Sequence, residues 1–157
     1  MPHYDAILAT PIGSLGVVVR DRGVARIDVA IGDAAPRPPA NPVAARAVSE
    51  LEAYFTDPGH AFDLPLTPDG TDFQRRVWRA LAGIPPGRTL TYGALAHRLG
   101  TSARAVGGAC RANPCPIVVP CHRVVASGGG LGGYSGARHG RWLDIKRRLL
   151  EHEAAWR

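Results

Sequence analysis

The 157-residue sequence predicts an α+β protein, with a small antiparallel β-sheet and one helix over residues 1–70 and a mainly helical part over residues 71–157. Three observations carry this. The apolar period changes from two to 3.6 near residue 70. Turn and capping residues punctuate both parts where such elements need them. The charge divides at the same place: residues 1–70 hold five Arg against nine acids, net −4, while residues 71–157 hold thirteen Arg and Lys146 against four acids, net +10.

Each element has its own signal. Ala6-Ile7-Leu8-Ala9-Thr10 leads into a turn at Pro11-Ile12-Gly13-Ser14. Leu15-Gly16-Val17-Val18-Val19 and Val24-Ala25-Arg26-Ile27-Asp28-Val29 flank a second turn at Asp21-Arg22-Gly23, which makes a three-stranded meander. Residues 32–42 hold four prolines and almost no apolar bulk, so they read as a loop. Over residues 43–55, Val43, Ala47, Val48, Leu51, Tyr54 and Phe55 recur at helical spacing, and Asp57-Pro58-Gly59 stops that helix. Residues 65–70 read as the linker. Thr71 or Asp72 then caps a helix with Phe73, Val77, Trp78 and Leu81 on one face, ended by Ile84-Pro85-Pro86-Gly87. Thr91 caps the next, which Gly100 closes, and Ser102 caps a third over residues 103–111. Two short helices around a glycine turn form a helix-turn-helix, an arrangement found in and outside DNA-binding proteins. Trp142, Ile145, Leu149 and Leu150 mark a last amphipathic helix.

With 45% hydrophobic and 20% charged residues, the composition excludes a disordered chain, a collagen-like repeat and a coiled coil. No apolar run approaches the roughly 18 residues of a membrane span, so no membrane partner is expected. The opening Met1-Pro2-His3-Tyr4-Asp5 lacks the pattern of a signal peptide, and the expected location is the cytoplasm. The basic second part suits a polyanion such as nucleic acid, although arginines that merely solvate helix faces give the same count.

The cysteines are Cys110, Cys115 and Cys121. An odd number in an intracellular chain argues against a disulfide framework. Spacings of four and five residues with no CxxC pair argue against zinc, so no metal is expected. Cys110 and Cys115 read as buried, inert thiols. Cys121 differs, because Ile117-Val118-Val119-Pro120-Cys121-His122-Arg123-Val124-Val125 sets a thiol beside an imidazole and a guanidinium inside an apolar run. Such surroundings can fix a thiol and lower its pKa for nucleophilic attack. A polar turn in a core strand gives the same local pattern. An acid to orient His122 would complete the nucleophilic set, and Glu153 is a candidate.

Asn113-Pro114-Cys115-Pro116-Ile117-Val118-Val119-Pro120-Cys121-His122-Arg123-Val124-Val125 closely resembles the active-site signature of the O6-alkylguanine-DNA alkyltransferases, or methylated-DNA-protein-cysteine methyltransferases. The likeness extends in register through Phe73-Gln74-Arg75-Arg76-Val77-Trp78, Thr91-Tyr92-Gly93, Ala103-Arg104-Ala105-Val106-Gly107-Gly108, Gly132-Gly133-Tyr134-Ser135-Gly136 and Lys146-Arg147-Arg148-Leu149-Leu150-Glu151-His152-Glu153. It covers residues 71–153. Residues 1–70 match weakly, in Thr10-Pro11-Ile12-Gly13-Ser14-Leu15 and around Leu51-Tyr54-Phe55.

The resemblance implies a winged helix-turn-helix-like DNA-binding and catalytic domain over residues 71–157, with residues 1–70 as a structural domain. It also implies suicide repair, in which O6-alkylguanine, and O4-alkylthymine as a second lesion, loses its alkyl group irreversibly to Cys121. In that scheme His122 takes the thiol proton through a water, Glu153 orients the imidazole and Tyr92 donates a proton near N3 of the base. Tyr134 and Ser135 surround O6, with Lys146 and Val125 along the same wall. The target base must leave the duplex. Arg104 would fill the space it vacates, on a slim helix of Ala103, Ala105, Gly107 and Gly108 suited to a minor-groove approach. Asn113 would brace the active-site loop. Gly128-Gly129-Gly130 reads equally as a mobile loop or a plain linker. No cofactor is implied, and the expected partner is double-stranded DNA, bound by a monomer with cooperative assembly open. A lesion-recognition module without catalysis and a helix-turn-helix regulator are the competing readings; Cys121, His122 and Glu153 together favour the enzyme.

Overall fold

The structure, a computed structural model, describes residues 3–132 and 140–154. The chain divides into two compact units, Met1–Asp69 and Gly70–Arg157. The first unit opens with β1 (Ala6–Leu8), β2 (Leu15–Arg20) and β3 (Gly23–Asp28), an antiparallel sheet in the order β1-β2-β3. Asp21 and Arg22 connect β2 to β3 with φ of 53° and 66°, the left-handed backbone of a two-residue hairpin that follows strand twist.

Helix α1 (Pro42–Thr56) starts where Asn41 accepts a hydrogen bond from the Ala44 N–H (2.8 Å) and Pro42 presets the first turn. A helix of this length is marginal alone in water. Its stability comes from Ala44, Ala47, Leu51 and Tyr54, all fully buried with Leu15, Val17, Val24 and Ile27 of the sheet. At about 1.5–3 kcal/mol for each large apolar side chain, this burial outweighs any one cap.

Two stretches expected to be irregular are partly paired. Arg37 forms an isolated antiparallel bridge with Ile7, and Leu66, inside the expected linker, bridges Val24 in parallel with the Val24 N–H donating to the Pro65 carbonyl (2.8 Å). Proline content hid these contacts, since single bridges need no run of strand-forming residues.

In the second unit, α2 (Asp72–Ala82) begins with a reciprocal capping box between Thr71 and Gln74. The pair β4 (Leu90–Thr91) leads directly into α3 (Tyr92–Leu99), and Gly100, in the left-handed region at φ 67°, ends α3 before α4 (Ala103–Arg111). The expected helix-turn-helix is present. Trp78 of α2 donates its indole N–H to the Ala109 carbonyl (2.8 Å, buried), and Arg76 bonds the Leu99 carbonyl, so α2 is tied to α4 and to the end of α3. After α4 come a 3-10 turn at Cys121–Arg123, β5 (Val124–Val125), a second such turn at Ser127–Gly129 and α5 (Arg141–His152). Strand β5 pairs in parallel with β4, Leu90 with Val124 and Thr91 with Val125. Val77, Leu81, Leu95, Val106, Ile117, Val124, Ile145, Leu149 and Leu150 make the core.

Candidate active site

The segment from α4 to Cys121 is held mainly by one side chain. Asn113 accepts from the Cys115 N–H (3.0 Å) and donates Nδ2–H to the Val119 carbonyl (2.8 Å), while the Val119 N–H bonds the Cys115 carbonyl (2.9 Å). Within this loop Ile117 is fully buried at φ 77°, a left-handed backbone that a β-branched residue adopts only when its surroundings impose it. The loop delivers Cys121 to the first position of its 3-10 turn, where its N–H bonds the Val119 carbonyl (2.8 Å).

Cys121 is 6% exposed, His122 0% and Glu153 5%, so the three lie out of water. His122 Nε2 and Glu153 Oε2 are 2.8 Å apart. A carboxylate accepts only, so Nε2 carries the hydrogen and Nδ1 keeps its lone pair. Nδ1 makes no hydrogen bond among the described residues, which leaves it as the basic nitrogen. Burial holds the imidazole below its ordinary pKa against the opposing pull of Glu153.

Glu153 sits at the C-cap of α5, where the helix dipole disfavours a negative charge. Arg123 compensates. Its Nε reaches Oε1 at 2.8 Å and its Nη2 reaches Oε2 at 2.9 Å, while Nη1 donates to the Ile84 carbonyl (2.6 Å). This pairing matters for Cys121, because the guanidinium beside it in sequence is spent on Glu153 and the thiol is not activated by it. Burial raises the Cys121 pKa; the Asn113 amide and the Lys146 ammonium work against that rise. The resting pair is therefore neutral thiol and neutral imidazole, contrary to the expectation of a lowered thiol pKa.

Lys146 is fully buried on α5, donates to the Val124 carbonyl (2.7 Å) and places its ammonium 5.6 Å from the centre of the Tyr92 ring. Burial lowers its pKa to about 8, partly offset by Cys121 and Cys110. Tyr92 is half-buried as the first residue of α3, and burial with the two nearby thiols raises its pKa, which keeps the hydroxyl a donor. Val125 is buried in β5 beside Thr91. Cys110 and Cys115 are buried, each pushed up to about 12 by burial.

On α4 the side chains of Ala103 and Arg104 are exposed, and Ala105 and Gly107 are half-buried. Among the described residues, a Cβ added at Gly107 or Gly108 would meet nothing within 4 Å, so their packing does not require glycine there. Tyr134 and Ser135 lie outside the described residues. Residues 128–130 form a tight turn with Gly128 at φ 82° and the Ala126 N–H bonded to the Gly130 carbonyl (3.0 Å). Two residues escaped the sequence reading: Arg123 as the clamp on Glu153, and Ile84, whose carbonyl fixes that clamp. For Arg123 the signal was its place next to His122.

Residues 72–155 match the family model described as 6-O-methylguanine DNA methyltransferase, DNA binding domain. A methylated-DNA–protein-cysteine methyltransferase of Methanosarcina barkeri is 40% identical over 158 residues, covering 96% of each chain. A protein of the same name from Mycobacterium tuberculosis is 49% identical over 109 residues, 68% of this chain and 63% of that one. Among solved structures, Mycobacterium tuberculosis OGT in complex with DNA superposes with a TM-score of 0.78 at 38% identity, covering 94% of this chain and 90% of that chain. An O6-methylguanine DNA methyltransferase of Methanococcus jannaschii follows at 0.63 and 30%, with 94% and 92% covered. The family model spans residues 72–155, relatives match over nearly the whole length and the fold superposes on solved members, and the chain belongs to the methylated-DNA–protein-cysteine methyltransferase family.

Proposed function

We propose that this chain repairs DNA by moving the alkyl group of O6-alkylguanine, and of O4-alkylthymine, onto Cys121 in a single irreversible turnover. The observation that carries this reading is the buried Cys121 thiol next to an imidazole whose Nε2 is pinned by Glu153 at 2.8 Å, with Nδ1 left basic. His122 Nδ1 takes the thiol proton through a water, and the imidazolium is stabilised by Glu153. The thiolate forms only at this point, where Asn113 and Lys146 support its charge. Its sulfur attacks the alkyl carbon, the S–C bond forms and the C–O6 bond breaks. The electron pair leaves with the purine, which takes a proton from the Tyr92 hydroxyl, and that proton is replaced from His122 by way of solvent. The product thioether has no easy hydrolysis route, so each molecule reacts once.

The target atom lies inside the duplex, so the base must be flipped out. The exposed Arg104 fills the gap, and the slim face of Ala103, Ala105, Gly107 and Gly108 fits the minor groove. In this reading residues 71–157 bind DNA and react, and residues 1–70 are a structural domain. The chain acts as a cytoplasmic monomer that requires no cofactor. Intact-mass measurement after mixing with an O6-methylguanine duplex tests the reading: the wild type gains one methyl group and Cys121→Ala gains none. An unchanged wild-type mass would refute it.

A further inference from the structure

A cavity of about 430 Å³ lies where α2 and α3 end, within the roughly 300–1,000 Å³ usual for small-molecule sites. It shares no lining residue with α4 or with the cluster around Cys121. Its apolar wall is made by Ile84 and Leu95, both buried, and by the half-buried Leu90 and Leu99. Arg88, in the loop after α2, and Arg98, in the last turn of α3, line it too and are exposed, and no acidic residue does. Among the described residues neither guanidinium forms an ion pair, whereas Arg123 is spent on Glu153 and Arg147 on Asp144. Two helix C-termini would ordinarily repel an anion. Here their carbonyls are largely taken. Ala80 and Leu81 accept from the Gly83 and Ile84 N–H groups (3.1 and 3.0 Å), Ala96 and His97 from those of Thr101 and Gly100 (2.9 and 3.3 Å), and Leu99 from Arg76.

We propose that this cavity binds a small organic anion, an apolar ring body carrying one sulfonate or carboxylate, and that its occupancy is linked to the Arg123–Glu153 clamp through Ile84. The ring body displaces water from Ile84, Leu90, Leu95 and Leu99, and the acidic group meets Arg88 and Arg98 in charge-assisted hydrogen bonds. Ile84 serves both places. It lines the cavity, and its carbonyl accepts from Arg123 Nη1 (2.6 Å). A ligand pressed on Ile84 therefore bears on the bond that fixes Arg123 against Glu153, and Glu153 in turn holds His122 Nε2 at 2.8 Å. Such a linkage is reciprocal, so whatever shifts the clamp also shifts the affinity of the cavity.

The test titrates 1-anilinonaphthalene-8-sulfonate, read by fluorescence, into the wild type, Arg88→Gln, Arg98→Gln and the double variant, with backbone amide and His122 ring-nitrogen NMR to locate the site. Two comparison probes divide the chemistry: N-phenyl-1-naphthylamine has the rings without the sulfonate, and methanesulfonate has the sulfonate without the rings. Binding to the wild type is saturable and moves the amides of Gly83, Arg88 and Leu99, and the His122 ring nitrogens move with the same midpoint. Each single variant weakens binding about threefold and the double variant about tenfold, since the two arginines act on one group. The neutral probe binds about fivefold more weakly than the sulfonate, and methanesulfonate does not displace it. Shifts centred on Tyr92 or Val125 would place the probe in the reaction site and overturn the proposal. Equal affinity of the double variant or of the neutral probe overturns it as well, as does displacement by methanesulfonate, which would reduce the site to a bare cationic patch. An unmoved His122 ring at saturation overturns the link to the clamp. No alkyl donor is present in any arm, so these outcomes stand apart from whether Cys121 takes an alkyl group.

Discussion

The least replaceable interaction at the residue scale is that of Arg123 with Glu153. A carboxylate at the end of a helix, 5% exposed and shared with His122, keeps its charge because a guanidinium meets both oxygens. Arg123→Met leaves that carboxylate buried without its guanidinium, and urea denaturation should register a loss of about 3–5 kcal/mol. A loss below about 1 kcal/mol would mean that water reaches the site. Lys146 gives a pH prediction of opposite character. Its pKa falls from 10.5 to about 8 on folding, so between those values the unfolded chain holds a proton that the folded chain has released. Stability owed to this residue therefore rises with pH through that window, and the lysine costs most when charged, below about 8. Relative to Lys146→Met, the wild type should gain on the order of 1 kcal/mol per pH unit across it. A flat difference would show that the ammonium is better solvated than its burial indicates.

At the element scale, α4 combines poor helix-forming residues with an open face. Glycine inside a helix costs about 0.5–1 kcal/mol relative to alanine, and no described residue occupies the space beside Gly107 or Gly108. Gly108→Ala is thus predicted to raise stability by about 0.5–1 kcal/mol in a thermal melt. Gly108→Trp keeps the fold and the reaction with free O6-benzylguanine but weakens duplex binding. Equal duplex affinity for wild type and Gly108→Trp would remove this face from the interface. Helix positions were legible in the sequence because Thr71, Thr91, Ser102 and Gly100 act locally, each on backbone groups within a turn. The parallel pair of β4 and β5 was not, since two residues cannot display a period. The loop over residues 113–120 was legible only as a signature, because Asn113 organises it through side-chain bonds to Cys115 and Val119. The thiol was misjudged for a similar reason: adjacency in sequence suggested that Arg123 acts on Cys121, whereas its side chain turns to Glu153.

Charge organises the whole molecule. The second unit carries 14 of the 19 Lys and Arg residues, and of its described arginines only Arg123 is buried. Arg75, Arg76, Arg79, Arg88, Arg98, Arg104 and Arg111 are exposed. If only four engage the backbone, duplex affinity should fall roughly a hundredfold between about 50 and 200 mM salt, measured by fluorescence anisotropy. A flat response would assign these arginines to solvation alone. The central claim, however, concerns where one carbon goes. A duplex carrying O6-methylguanine with an isotopically labelled methyl group, mixed with the protein and followed by peptide mass mapping and base analysis, tests it most directly. Label is expected on the peptide containing Cys121, with unmodified guanine in the DNA, in equal amounts. Label released to solvent, retained on the base, or found on any other residue would contradict it.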